Sequence, residues 1–212
     1  MNEEDQVPLA RKLFVGASAF VLVAFVLAQV VMGAKSNAPT EQAKKLMGQI
    51  RAEAIDAPLT PTQLAWKLET PDGVRTLAEM PRDTVIFLNF WATWCEPCRE
   101  ELPAMRQLRE GLEDRRFIMV AVSYDEEWSK IREFFKSWFG RMPTDRELLL
   151  LRDPHLEEGT TLRETFGTTQ IPDSYVIYNG RVLARFVNAR DWTDTSIYNY
   201  FLLISPQIGS RQ

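Results

Sequence analysis

The chain has 212 residues, 45% hydrophobic and 11% aromatic, with 29 acidic against 25 basic side chains and a formal net charge of −4. That length allows one domain of ordinary size plus an appendage, and the apolar share is enough to build a core. The acidic balance, with no basic cluster, argues against a nucleic-acid partner.

After a short N-terminal tail (1–12), Leu13 to Ala34 runs for 22 residues without a charge, interrupted only by Ser18 and Gln29. As a helix it spans about 33 Å, the thickness of a bilayer's hydrocarbon core. A cleaved signal peptide is the rival, but its apolar core is normally about 7–15 residues, and only Val31-Met32-Gly33 resembles a cleavage site. The sequence therefore predicts an uncleaved anchor over 13–34. Arg11 and Lys12 on one side nearly balance Lys35, Lys44 and Lys45 on the other, so charge leaves the orientation open. Cysteine usage favours the outside, because no thiol beyond Cys95 and Cys98 is available to mispair in an oxidising compartment.

Residues 35–58 read as a linker or stalk with a modest helical stripe (Ala43, Leu46, Met47, Ile50, Ala54). The globular domain is expected from Leu59 to residue 206, with a short tail at 207–212. Leu64, Trp66 and Leu68 alternate, Pro71-Asp72-Gly73 turns, and Val74 to Leu77 pairs back, which predicts a β-hairpin. A buried strand follows at 84–90, then the motif Trp91-Ala92-Thr93-Trp94-Cys95-Glu96-Pro97-Cys98, then a helix from Arg99 to Asp114. Arg116 to Ser123 is a strand covered on both faces. Glu126 to Phe139 is an amphipathic helix stopped by Gly140. A short strand (Glu147 to Leu151) and a short helix (Thr160 to Phe166) lead to a hairpin, Ser174 to Asn179 and Arg181 to Asn188, turning on Asn179-Gly180. Asp194 to Ile204 closes the chain as a helix. This order predicts an α/β fold, a mixed central sheet flanked by helices.

Cys95 falls where a strand hands over to a helix, and helix N-termini favour a thiolate. Cys98 is one turn on, close enough to close a disulfide, an arrangement suited to thiol–disulfide exchange. Half a zinc site is the alternative, but zinc wants four ligands and the chain has two cysteines and one histidine, His155, which reads as a turn or cap residue. Two buried structural cysteines fit poorly around the turn formers Glu96 and Pro97. No metal or cofactor is expected. Glu96, about 6 Å from the thiolate, opposes it by roughly 1 kcal/mol. For a two-electron couple that is about 20 mV toward a stronger reductant, too little to fix the direction of electron flow. Pro103 is a helix proline expected to kink its helix. Trp91 and Trp94 are expected to shield the disulfide.

These residues resemble the thioredoxin superfamily, and within it the membrane-anchored ResA/TlpA/CcmG (DsbE) group of extracytoplasmic reductases. The resemblance rests on Phe90 to Arg99, on Glu101-Leu102-Pro103, on Val120-Ala121-Val122-Ser123, and on Ile171-Pro172-Asp173-Ser174-Tyr175, and covers roughly Leu59 to Ile204. It implies a thioredoxin-like fold with an added N-terminal β-hairpin, preceded by one transmembrane helix. It implies Cys95 as the exposed nucleophile and Cys98 as the resolving thiol. It further implies a cis bond before Pro172, so that Ile171 offers backbone groups to an extended substrate segment beside Trp94 and Pro97. Asn89 stands where thioredoxins carry a buried aspartate. Another acid is then expected to assist, the candidates being Glu126, Asp125, Asp173 and, inside the motif, Glu96.

The expected partners are protein disulfides as substrates, among them the haem-binding cysteines of apocytochrome c, and an upstream membrane thiol donor of the CcdA/DsbD kind. The expected location is the cell inner membrane, single-pass, with the catalytic domain on the periplasmic or extracytoplasmic side. Two rivals sit on the same fold. A copper chaperone would space its cysteines by three residues and keep a dedicated histidine; a thiol peroxidase would carry threonine or serine where Ala92 stands.

Overall fold

The computed structural model describes residues 41–154 and 160–209. The anchor read at 13–34, the tail before it and His155 lie outside them. Among the described residues no helix is long and apolar enough to cross a membrane.

The centre is a strand, β4 (Val85–Trp91), buried along its whole length. It pairs in parallel with β5 (Phe117–Ser123), which pairs in parallel with β6 (Leu149–Arg152). On its other side β4 meets β7 (Asp173–Tyr178) antiparallel, and β7 meets β8 (Arg181–Val187). The β7–β8 turn is built on Asn179 and Gly180, both at positive φ (50° and 72°), the backbone that the Asn-Gly pair was read to require. The crossover helices are α3 (Glu96–Gly111) and α4 (Trp128–Phe139). Two crossovers stepping the same way across a sheet place both helices on one face when both are right-handed. The closing helix α6 (Thr195–Ile204) shares that face: Phe87 of β4 meets Phe201 edge-on at 5.7 Å and Trp192, just before the helix, at 4.7 Å. The opposite face is covered by α5 (Leu162–Thr165) and the turn after it, with Phe166 5.6 Å from Phe90 and 4.9 Å from Tyr175.

Two regions differ from the sequence reading. The first hairpin is shorter and displaced: its strands are β2 (Leu68–Thr70) and β3 (Gly73–Arg75), while Leu64 lies in a helix, α2 (Pro61–Ala65). Local capping outweighs the alternation there. Thr60 Oγ accepts from the Gln63 amide at 3.2 Å, Gln63 Oε1 accepts from the Thr60 amide at 2.8 Å, and Pro61 opens the helix. The hairpin docks on the sheet through β6, where Arg152 and Glu69 pair at 2.5 Å.

The second difference is the stalk. Residues 41–58 contain α1 (Glu41–Gln49) and β1 (Glu53–Pro58), and both belong to the folded domain. β1 extends the sheet beyond β8, giving the order β1-β8-β7-β4-β5-β6-β2-β3. Most of the stripe is core: Ala43 and Met47 on α1 and Ile50 just after it are buried, whereas Ala54, in β1, is exposed. Truncating Met47 to alanine should therefore lower stability by at least about 2 kcal/mol in denaturant unfolding, whereas on a free tether it would change nothing measurable.

Candidate active site

β4 ends at Trp91, and a tight turn carries the chain into α3. Asp125, buried just after β5, fastens that turn: its carboxylate accepts from the Thr93 amide (2.9 Å), the Thr93 hydroxyl (2.5 Å) and the Ser123 hydroxyl (2.6 Å). Cys95 is the N-cap of α3, and the Cys98 amide donates to its sulfur at 3.3 Å. The two cysteines are joined as a disulfide. Cys98 is almost wholly buried, at 1% exposure, and Cys95, expected to be exposed, is buried too at 6%, because it is closed into the disulfide and faces the Ile171 carbonyl. Around them Glu96 and Pro97 are exposed and Trp94 is two-thirds exposed, while Trp91 is fully buried against Phe134 and Phe135. Of the two tryptophans, then, only Trp94 offers a face to solvent. α3 runs unbroken through Pro103.

The second wall of the site is the turn before β7. The Ile171–Pro172 bond is cis, and the Ile171 carbonyl oxygen lies 3.7 Å from Cys95 Sγ. That proximity brings Cys95, Cys98, Ile171 and Pro172 together as the resemblance implied.

The acids sort differently from expectation. Asp125 is committed to the Thr93 turn, and Glu126 is exposed, its backbone carbonyl accepting from Arg152. Asp173 is completely buried but paired with Arg185, whose Nη2 is 2.7 Å away. Its neighbour Ser174 is the residue that turns toward α3.

A buried acid on the same helix as the disulfide is Glu101, which sequence reasoning did not number among the candidate acids. It lies three residues after Cys98 on the buried stripe that continues through Leu102 and Met105, and is 4% exposed. Its Oε1 accepts from Asn89 Nδ2 (3.0 Å), and its Oε2 accepts from Trp192 Nε1 (2.9 Å) and the Arg190 amide (3.2 Å). Asn89 Nδ2 also donates to Ser174 Oγ at 2.9 Å. Burial pushes the Glu101 carboxyl from its ordinary 4.5 up to about 7, against the pull of these three donors. The available signal was a carboxylate on an apolar helical stripe, one turn from a cysteine.

Comparison with known proteins agrees with this geometry. The chain is 27% identical over 159 residues to the thiol-disulfide oxidoreductase ResA of Bacillus subtilis, a match covering 73% of this chain and 77% of that protein. It is 26% identical over 122 residues to the ResA of Bacillus cereus, where the match spans only 64% of the relative's length and 57% of this chain. Among solved structures, a Chlorobium tepidum protein described as a thiol:disulfide interchange protein of the DsbE type superposes with a TM-score of 0.56. That pair shares 27% identity, covering 72% of this chain and 99% of the other. A second Chlorobium tepidum protein, described as a thiol:disulfide interchange protein of the thioredoxin family, gives 0.50 at 25% identity, covering 72% of this chain and 98% of the other. The fold is thioredoxin-like, and the AhpC/TSA family matches over residues 58–180; the chain belongs to that family.

Proposed function

We propose that this protein is a membrane-tethered thiol:disulfide oxidoreductase that reduces protein disulfides outside the cytoplasm. The observation that carries the reading is the disulfide capping α3, whose N-cap sulfur, that of Cys95, lies 3.7 Å from the Ile171 carbonyl beside the exposed Trp94, Glu96 and Pro97. In the reduced protein the Cys95 thiolate attacks one sulfur of a substrate disulfide and expels the other as a thiolate, leaving a mixed disulfide. Cys98 then attacks Cys95 Sγ, releases the second substrate thiolate and closes the Cys95–Cys98 bond. Two electrons pass from the pair to the substrate. Helix α3 favours the Cys95 thiolate through its dipole and the Cys98 amide. Cys98 has no such help, and Glu101, ionised near neutrality, takes its proton as it attacks.

The finer terms rest on the sequence. The apolar run at 13–34 supports a single-pass anchor in the inner membrane, and the absence of further cysteines supports an extracytoplasmic domain. A membrane thiol donor of the CcdA/DsbD kind would restore the dithiol. The CxxC haem-binding segment of apocytochrome c is the substrate class we assign. Equilibrating the full-length protein with glutathione or dithiothreitol buffers tests the direction of flow. A reduction potential below about −200 mV supports a reductant, and one near about −120 mV, the range of strong oxidants, overturns it.

A further inference from the structure

We propose that the buried Asp173–Arg185 pair, with Thr168 and Tyr175, is a positioning device that holds the Ile171–Pro172 edge for an extended polypeptide segment flanking the substrate disulfide. The inference rests on the oxidoreductase reading above and concerns the same site.

Asp173 is 0% exposed and sits next to Pro172 at the start of β7. Its Oδ2 receives three side chains from three segments: Arg185 of β8 (Nη2 at 2.7 Å, Nε at 3.0 Å), Thr168 of the preceding turn (2.5 Å) and Tyr175 of β7 (3.1 Å). The same Tyr175 hydroxyl lies 3.0 Å from the Phe166 carbonyl, so its one proton is shared between that oxygen and Asp173, tying the other end of the 166–172 turn to the cluster. Burial holds that phenol up to about 12, so it stays a donor across the physiological range. Arg185 is kept in place from above by its own stack over the Tyr175 ring, 5.5 Å from the centroid. Outside this cluster, the turn meets the residue after β8, where Gln170 donates to Asn188 Oδ1 (2.6 Å) and the Asn188 amide donates to the Pro172 carbonyl (3.1 Å).

A simple packing role would be met by apolar residues, which are often no less stabilising than a buried ion pair. What the pair adds is a fixed direction: bonds from both strands and from the turn converge on one carboxylate oxygen. Geometry of this kind matters most where a substrate backbone must align with Ile171. A misplacement of about 1 Å at such a point can slow a reaction by about 10²-fold.

The test compares two oxidised substrates with the reduced full-length protein: a peptide bearing an intramolecular Cys-x-x-Cys disulfide with several flanking residues, and hydroxyethyl disulfide, which is too small to lie along the edge. Asp173→Asn should lower the second-order rate constant for the peptide by about 10-fold or more, while that for hydroxyethyl disulfide changes less than about twofold. If Asp173→Asn fails to fold, Thr168→Val and Thr168→Ser serve instead. The valine should reproduce the selective loss, and the serine, which keeps the hydroxyl, should restore the peptide rate. Equal losses on both substrates, or no loss on the peptide, overturn the positioning role. An unmodified protein that reduces neither substrate overturns the oxidoreductase reading instead.

Discussion

Cys98→Ser should arrest the protein as a mixed disulfide. With the buried sulfur gone, Cys95 still attacks, but nothing displaces the captured substrate, so a covalent adduct accumulates that is visible on a non-reducing gel and released by dithiothreitol. Cys95→Ser should capture nothing and lose turnover by on the order of 10⁴-fold or more, the scale of deleting a catalytic nucleophile. The asymmetry follows from position. Cys95 caps α3, where the Cys98 amide donates to its sulfur at 3.3 Å and the Ile171 carbonyl lies 3.7 Å away, whereas Cys98 is 1% exposed within the first turn of the helix. Adducts forming equally well on both single variants would contradict this division of labour, and so would adducts on neither.

Glu101→Gln should slow the resolving step by about 10²-fold and remove its pH dependence near neutrality. In the native protein that step should quicken as pH rises through about 7, where the buried carboxyl loses its proton and becomes able to accept one. Single-turnover measurements of substrate thiol release across pH 5–9 read this directly. An inflection near 7 that survives in Glu101→Gln would assign the proton to another group. The same residue leaves a thermodynamic trace. Its folded pKa lies above the ordinary 4.5, so between those values the folded state holds a proton that the unfolded chain has released. Stability therefore falls as pH rises from about 4.5 to about 7 and is flat beyond, the interval corresponding to about 3 kcal/mol. Denaturant unfolding of Glu101→Gln should lack that decline.

The parts legible in the sequence are those whose cause lies within one window. The dithiol could be read from Trp91 to Cys98 because the strand, the turn formers and the helix that give Cys95 its character are contiguous. The β7–β8 turn could be read from Asn179-Gly180 because both residues tolerate positive φ. What escaped depends on neighbours far along the chain. Ala43 and Met47 look like a weak stripe until α6, some 150 residues later, provides the surface they bury against. Glu101 entered only as part of the resemblance, because Trp192 and Arg190, whose donors make its burial tolerable, lie about 90 residues on. Asp173 was placed beside the cysteines because it adjoins Pro172. Alternation along β7 sends Ser174 toward α3, while Asp173 points to the opposite face, to Arg185. The Thr60-Pro61 start of α2 carries a capping box that was legible in principle, and a Leu-Trp-Leu alternation obscured it.

The outermost strands bear on how this molecule meets other polypeptides. β3 is only three residues long, and β1 breaks register between Ala54 and Ala57, where Asp56 takes a φ of 52° before Pro58 ends the strand. Neither rim offers the long, flat ladder on which copies of a chain stack into fibrils. Under the proposed function, a polypeptide substrate would then find little to pair with along the sides, leaving the short backbone ledge at Ile171, 3.7 Å from Cys95 Sγ, as the place to dock.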